Sequence, residues 1–338
     1  MENISERVIV VNREPDFIQN DETDFSANFI ILCENDNYQR NEQLYKNTVC
    51  GLSIAEWVAM ACDGKPIFLN ISEKDNFLNL IRPYINEKEY MVVLYANTPL
   101  LTKTHLNDLI CYIKRKRFNA CKLKKGYILK SEYVMDVDSI YSNFLYDFES
   151  DDFFEVNTVS DLEVARIALE KRIFSHHTKK GVVFESQKTI NIDANVKMGM
   201  DSRIYGGVSI LKNSTIGDNV TLESNVVIIN SKIGSGTIVK SGTIIENSVV
   251  KSNTEISNNS CIIHSVVGDN VKIGVSAKIV DSAIEAGVEV ENFVNIDTAN
   301  ILNGAKIGKF SNIVGLGVSV VVVQNAEIKP FANLVQSK

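Results

Sequence analysis

Ile216-Gly217-Asp218-Asn219-Val220-Thr221-Leu222 is the stretch whose reading decides the fold. Steps of six residues back from Ile216 meet Ile210, Ile204, Met198 and Ile192, and steps forward meet Leu222 and Ile228. The step then drops to five at Ile233 and returns to six at Val239 and Ile245. The same shortening recurs at Val250, Val267, Ile284 and Ile301. Between them Ile256, Ile262, Ile273, Ile279, Val290, Ile296, Ile307 and Ile313 keep the step of six. A period of six fits neither an amphipathic helix nor an alternating strand. It marks a hexapeptide β-solenoid, in which a short strand and a turn follow each other three times per coil. The predicted core is this set of aliphatic residues, stacked coil on coil. About eight coils at roughly 4.8 Å per strand give a rod of about 40 Å.

The residues after each marker agree. Gly, Asp and Asn, as in Val267-Gly268-Asp269-Asn270, tolerate positive φ and suit tight corners. Ser214, Thr237, Thr243 and Ala277 are small, as a narrow prism requires. The repeat by itself does not set the hand of the coil, although the general crossover rule says right.

Before the solenoid the pattern changes. Phe29-Ile30-Ile31-Leu32, Pro66-Ile67-Phe68-Leu69 and Met91-Val92-Val93-Leu94-Tyr95 are short apolar runs of buried strands. Ile54–Ala61, Phe77–Ile85 and His105–Arg117 read as helices between and after them. Val8 to Val11 reads as a short strand or a loosely held arm. Strands alternating with helices predict an open parallel sheet, with its ligand mouth at the strands' carboxyl ends, Cys33–Tyr38 and Ala96–Pro99. Ser160-Asp161-Leu162-Glu163 reads as a capping box opening a helix with the apolar stripe Leu162, Ala165, Leu169 and Ile173. The expected organisation is residues 1–158 α/β, 159–181 linker helix and 182–338 β-helix.

Bulk properties exclude several classes. The 338 residues carry a net charge of −7, which disfavours nucleic acid and anionic membrane as partners. Lys114-Arg115-Lys116-Arg117 therefore reads as a solvated helix face. The six cysteines form no CxxC pair and join no histidine cluster, so reduced thiols and no metal site are expected. No apolar run reaches membrane-span length and the first residues carry no signal pattern, which predicts a cytoplasmic protein. His176-His177 reads as positive charge suited to a helix C-terminus. His264 falls in a solenoid turn, and Val318 to Val323 is a final coil or a docking strand.

Particular motifs carry a family resemblance. Val93-Leu94-Tyr95-Ala96-Asn97-Thr98-Pro99-Leu100-Leu101 resembles the VL-x-GDTPLL segment of the bifunctional bacterial enzyme that makes UDP-N-acetylglucosamine (GlmU type). Glu155-Val156-Asn157-Thr158 resembles its GVN stretch, and Ile192-Asp193-Ala194-Asn195-Val196 with Ile204-Tyr205-Gly206-Gly207-Val208 its first β-helix coils. The resemblance implies a nucleotidyltransferase-like (Rossmann-like) N-terminal domain, here truncated. It further implies a left-handed parallel β-helix and a homotrimer. In that family Mg²⁺ and acetyl-CoA serve the two reactions.

The departures are chemical. The family's glycine-rich nucleotide loop is replaced by Leu32-Cys33-Glu34-Asn35-Asp36-Asn37-Tyr38-Gln39-Arg40, without glycine and with two added carboxylates. Lys46 is kept. The metal-binding aspartate is Asn97, a poorer Mg²⁺ ligand, and Asn157 matches the second metal-contacting position. Counting from Asn292-Phe293-Val294 puts the catalytic histidine at Lys309, a companion lysine at Asp297 and the sugar-phosphate arginine near Val280. A protonated lysine cannot accept the amine proton. The chain also stops at Lys338, before the family's last coils. The expectation is a degenerate, shortened relative with both transferase sites lost and neither Mg²⁺ nor acetyl-CoA bound normally. Its role would be structural or ligand-sensing in sugar-nucleotide or cell-surface polysaccharide metabolism. Lys46, Asn97, Thr98 and Asn157 are its candidate contacts for a sugar phosphate or UDP-sugar, and an active enzyme is a candidate partner. The competing expectation is a working nucleotidyltransferase or acyltransferase using Arg40, Lys46, Asn157 or Lys309. The bland alternatives are a strand-ending turn at Asn97-Thr98-Pro99 and a helix-entry hydrogen bond at Asn157.

Overall fold

The computed structural model describes residues 9–10, 27–34, 44–62, 64–72, 76–140, 144–146 and 151–337. Two compact units, Met1–Leu169 and Glu170–Lys338, divide the chain within one helix.

The first unit is built on a seven-stranded sheet. Its order is Ile9–Val10, Phe144–Tyr146, Ala120–Leu123, Gly126–Lys130, Tyr90–Tyr95, Ala27–Glu34 and Ile67–Ile71. The expected parallel core is present: Ala27–Glu34 pairs in parallel with both Ile67–Ile71 and Tyr90–Tyr95. The sheet is not parallel throughout, because Gly126–Lys130 runs antiparallel to both its neighbours. A two-residue turn makes this reversal, and a polar sequence such as Lys122-Leu123-Lys124-Lys125 gives little strand signal. Gly126 has φ +128°, and a Cβ there would lie 2.3 Å from Val93 O, so no other residue fits.

Four helices belong wholly to this unit: α1 (Ile54–Ala61), α2 (Phe77–Ile81), α3 (Lys103–Lys116) and α4 (Ser131–Asp136). Ser53 and Glu56 form a reciprocal capping box at α1, with Ser53 N–H donating to Glu56 Oε2 at 2.7 Å. Helix α2 stops at Ile81 rather than Ile85, because Pro83 shapes a 3₁₀ turn over Arg82–Tyr84. Ile31, Val92, Leu94, Leu106, Leu109 and Phe153 are at the centre of the core on one face of the sheet, and Ile30, Leu32, Met91 and Val93 on the other.

Helix α5 (Val159–Thr178) is capped two residues earlier than the sequence suggests. Thr158 Oγ1 accepts from Asp161 N–H at 3.2 Å, and Asp161 Oδ2 accepts from Thr158 N–H at 2.8 Å. Glu163 instead pairs with Arg166 on the exposed face. Ala165, Leu169 and Ile173 of the expected stripe are buried, and Leu162 is half-buried. His177 is buried too, and desolvation first, then the charges of His176 and Lys180, lower its pKa to about 4. It is therefore neutral at pH 7, contrary to the expected positive helix end.

The second unit is a three-sided solenoid of parallel sheets with nine, nine and eight strands, one coil more than the period counts. Val183–Phe184 adds the first strand, outside the six-residue rhythm, and Asn333–Ser337 the last. Val320–Val322 is a true rung, paired with Ala299–Ile301. All 22 marker residues from Ile192 to Ile313 are buried, none more than 4% exposed. They stack in register: Ile210, Ile228, Ile245, Ile262, Ile279, Ile296 and Ile313 are consecutive partners. Each such side chain contributes roughly 1.5–3 kcal/mol by burial. Phe174 closes on the first coil, its ring 4.9 Å from Phe184 and nearly perpendicular to it.

The five-residue steps all fall on one corner. It turns through Asn230, Asn247, His264, Asp281 and Thr298, each with φ between 46° and 52°. The missing residue is offset by buried serines. Ser248 Oγ donates to Glu246 O at 2.7 Å and accepts from Ser265 N–H at 3.0 Å, and Ser231, Ser265 and Ser282 repeat the pattern. Outside them His264 Nε2 lies 3.1 Å from Asn247 Nδ2, and His264 Nδ1 lies 3.6 Å from Asp281 Oδ1. The Asn247 amide can only donate there, which makes His264 Nε2 the acceptor.

Candidate functional site

The carboxyl ends of Ala27–Glu34 and Tyr90–Tyr95 lie side by side, tied by Ala96 N–H donating to Leu32 O at 2.9 Å. The Asn97-Thr98-Pro99 turn follows. Thr98 is fully buried and its Oγ1 donates to Tyr95 O at 3.0 Å, so it closes the turn rather than facing a ligand. Asn97 reaches across 60 residues of sequence: its Nδ2 donates to Asn157 Oδ1 at 2.9 Å, and its carbonyl accepts from Val156 N–H at 2.8 Å. Asn157 N–H donates to Asp161 Oδ2 at 3.1 Å, which makes Asn157 a helix-entry residue as well.

The structure therefore brings Asn97 and Asn157 together. Lys46 is exposed on a 3₁₀ turn, 5.8 Å from the Tyr45 ring, and is not among the residues that line the cleft beside Asn97. Leu32, Glu34, Leu44, Tyr45, Ala96, Asn97 and Val156 line that cleft, whose free volume is about 10 Å³. That is room for one water. Among the described residues Asn97 Oδ1 is buried with no donor. Cys33 and Glu34 are described at this mouth, whereas Asn35 to Tyr38, Gln39 and Arg40 lie outside the described residues.

Lys125 is the residue that sequence reading missed. Held in the tight turn before Gly126, its Nζ lies 3.5 Å from Glu34 Oε2, 3.3 Å from Glu155 Oε2 and 4.6 Å from the centre of the Tyr95 ring. Burial, then Glu34, Tyr127 and Glu155, push the Tyr95 hydroxyl up to about 12. Burial raises the Cys33 thiol, partly offset by the Lys46 charge. No motif flags Lys125, because its partners sit 91 and 30 positions away.

These residues do not fit a divalent cation. The Asn157 oxygen that would face the metal is taken by the Asn97 amide, and both groups are neutral. Among the described residues no cluster of three His, Cys, Asp or Glu side chains could hold one.

In the solenoid, Lys309 is exposed on a corner. Its N–H donates to Glu291 Oε2 at 2.8 Å and its carbonyl accepts from Phe331 N–H at 2.9 Å. Asp297 accepts from Thr298 Oγ1 at 2.9 Å, and Val280 is half-buried beside it in the sheet. His264 does not share the Lys309 corner: it turns the corner of Asp281 and Thr298, one residue beyond Val280 and Asp297, whereas Lys309 sits beside Phe310 on a different corner. One outer face carries an open groove of about 470 Å³, lined by Glu255, Ser257, Lys272, Glu289, Glu291 and Asn292. Gly274 forms its floor, since a Cβ there would lie 2.5 Å from the Glu291 carbonyl carbon. Glu255 pairs with Lys240, and Glu289 with Lys306 at 3.4 Å, so the groove presents paired charges.

Comparison with known proteins bears on the solenoid. Residues 219–301 match the GlmU-like C-terminal hexapeptide family. The "Bifunctional protein GlmU" of Clostridium botulinum strain Langeland is 40% identical over 70 residues, 21% of this chain and 15% of that protein. The protein of the same name from Lactobacillus johnsonii is 27% identical over 164 residues, 46% and 34% of the two chains. That from Staphylococcus saprophyticus is 33% identical over 111 residues, 30% and 24%. The solved UDP-N-acetylglucosamine acyltransferase of Francisella novicida aligns at 15% identity and a TM-score of 0.33, over 44% of this chain and 59% of that one. The chain thus spans about a third or less of the length of the curated relatives it matches. Over residues 219–301 the solenoid is thus similar to the C-terminal hexapeptide domain of GlmU-like proteins.

Proposed function

We propose that this chain is a non-catalytic GlmU-like protein of sugar-nucleotide or cell-surface polysaccharide metabolism, a structural or ligand-sensing subunit working beside an active enzyme. One observation carries the reading: the Asn97–Asn157 amide pair occupies the positions where the family's metal site is expected. Phosphoryl transfer depends on such a metal to gather charge on the phosphates. Two further features support it. The cleft beside Asn97 has room for about one water, and Lys309, which the family resemblance aligns with the catalytic histidine, is an exposed lysine.

In this reading the mouth takes a sugar phosphate or UDP-sugar weakly or not at all, the solenoid assembles as a homotrimer, and the protein is cytoplasmic. Among the described residues no helix is long and apolar enough to cross a membrane. The test is turnover by the full chain in two assays: UTP, Mg²⁺ and sugar 1-phosphates in one, acetyl-CoA and amino sugars in the other. The expected result is no product above background in either. Sustained turnover in either assay overturns the proposal. Thermal shifts with UDP-sugars separate ligand sensing from pure assembly, since a ligand of the native state raises Tm.

A further inference from the structure

Eight successive coils turn one solenoid corner through a residue of positive φ: Gly207, Asn225, Gly242, Asn259, Ser276, Phe293, Phe310 and Phe331. Glycine and asparagine suit left-handed backbone, and a bulky side chain there is disfavoured. Three consecutive phenylalanines nevertheless hold φ of 59°, 59° and 63°. Their rings stack at centroid distances of 5.0 and 5.1 Å, with planes within 8° of parallel. They are 51%, 46% and 70% exposed, so the core does not require them.

The flanking columns have a direction. Two residues before each phenylalanine stand Glu291, Gly308 and Lys329, which read negative, neutral, positive along the stack. Two residues after stand Asn295, Asn312 and Asn333, whose amides are linked at 2.8 Å in both steps. A column that reads negative, neutral, positive complements its own reverse.

We propose that the Phe293–Phe310–Phe331 ladder is the contact surface for a second copy of this chain, packed antiparallel about a two-fold axis at Phe310. Glu291 of each copy then meets the partner's Lys329, and Gly308 leaves the axis free of side chains. The contact is isologous, as closed two-fold assemblies require. Glu291 Oε2 already accepts from Lys309 N–H, which leaves Oε1 for the partner. Lys329 lies 3.0 Å from Glu327, both exposed, and such a pair holds its ammonium only weakly. Lys309 meets its counterpart near the axis, where a flexible stem carries the charge into water. Three aromatic side chains of roughly 150–250 Å² each, half of it free, supply about 600 Å² from two copies. A stable interface buries roughly 1,200–2,000 Å², so the charged and amide columns complete it. The contact is independent of the proposed homotrimer, which it would double to six chains.

The test is the solution mass of the full chain beside Phe310→Asp, Glu291→Lys, Lys329→Glu and the double reversal. The wild type should have twice the mass of Phe310→Asp. Each single reversal should raise the dissociation constant roughly tenfold or more, and the double reversal should restore it. Glu291→Lys is a surface change, so the test stands even if Phe310→Asp does not fold. An unchanged mass across all variants overturns the proposal, and points to an acyl chain or glycan on the ladder instead. A double reversal weaker than either single change overturns the antiparallel arrangement.

Discussion

Asn97 Nδ2 donates to Asn157 Oδ1 at 2.9 Å, joining a strand end to the entry of a helix 60 residues later. The bond fixes the mouth of the α/β unit and satisfies an amide that would otherwise be left without an acceptor. Replacement of Asn97 by Asp sets two acceptors against each other. Asn97→Asp should lower stability by about 1 kcal/mol at neutral pH, by the loss of this partly exposed hydrogen bond. Urea unfolding followed in the α/β unit measures it. Mg²⁺ should leave the wild-type Tm unchanged; a rise of several degrees would show that the amide pair opens to a cation.

Ser248 stands for the buried serine column. Ser248→Ala removes the donor to Glu246 O and leaves Ser265 N–H buried without an acceptor. A cost of about 1–3 kcal/mol is expected, larger than for Ser257→Ala on the open face. Guanidinium unfolding of the two variants compares them.

His177 makes the solenoid's entry sensitive to acid. Its folded pKa, about 4, lies below the unfolded value of 6.5. The unfolded chain therefore takes up the proton first. The stability this neutral ring preserves is complete above pH 6.5 and is lost as pH falls toward 4. The slope corresponds to about 2 kcal/mol across that window, discounted for partial solvation. His177→Phe should flatten the pH dependence of Tm between those limits.

Gly126→Ala places a Cβ 2.3 Å from Val93 O at a φ that alanine avoids. Several kcal/mol should be lost from the α/β unit, and Lys125 should leave Glu34 and Glu155. The transition of the solenoid should not move, since distant sites add independently. Two-stage calorimetry reads both.

The solenoid was legible because its information is local. Each Ile or Val marker repeats at a spacing that only a coil can use, and every predicted core position is buried. The first coil escaped notice because six residues, Glu185 to Ile190, separate Phe184 from the next strand and break the rhythm. The strands at Phe29, Ile67 and Met91 were legible for the same local reason. The antiparallel Gly126–Lys130 strand was not, because its direction is set by a close approach to Val93.

Periodicity alone determined that residues 192–313 form stacked rungs, since a hydrophobic residue recurring every sixth position has one way to be buried. Tertiary structure alone decided what the surfaces present. Lys125 meets Glu34 and Glu155, Asn97 meets Asn157, and Phe293, Phe310 and Phe331 form one stack. These groups are far apart in the chain, and their meeting depends on strand order and corner geometry, which no short window of sequence contains.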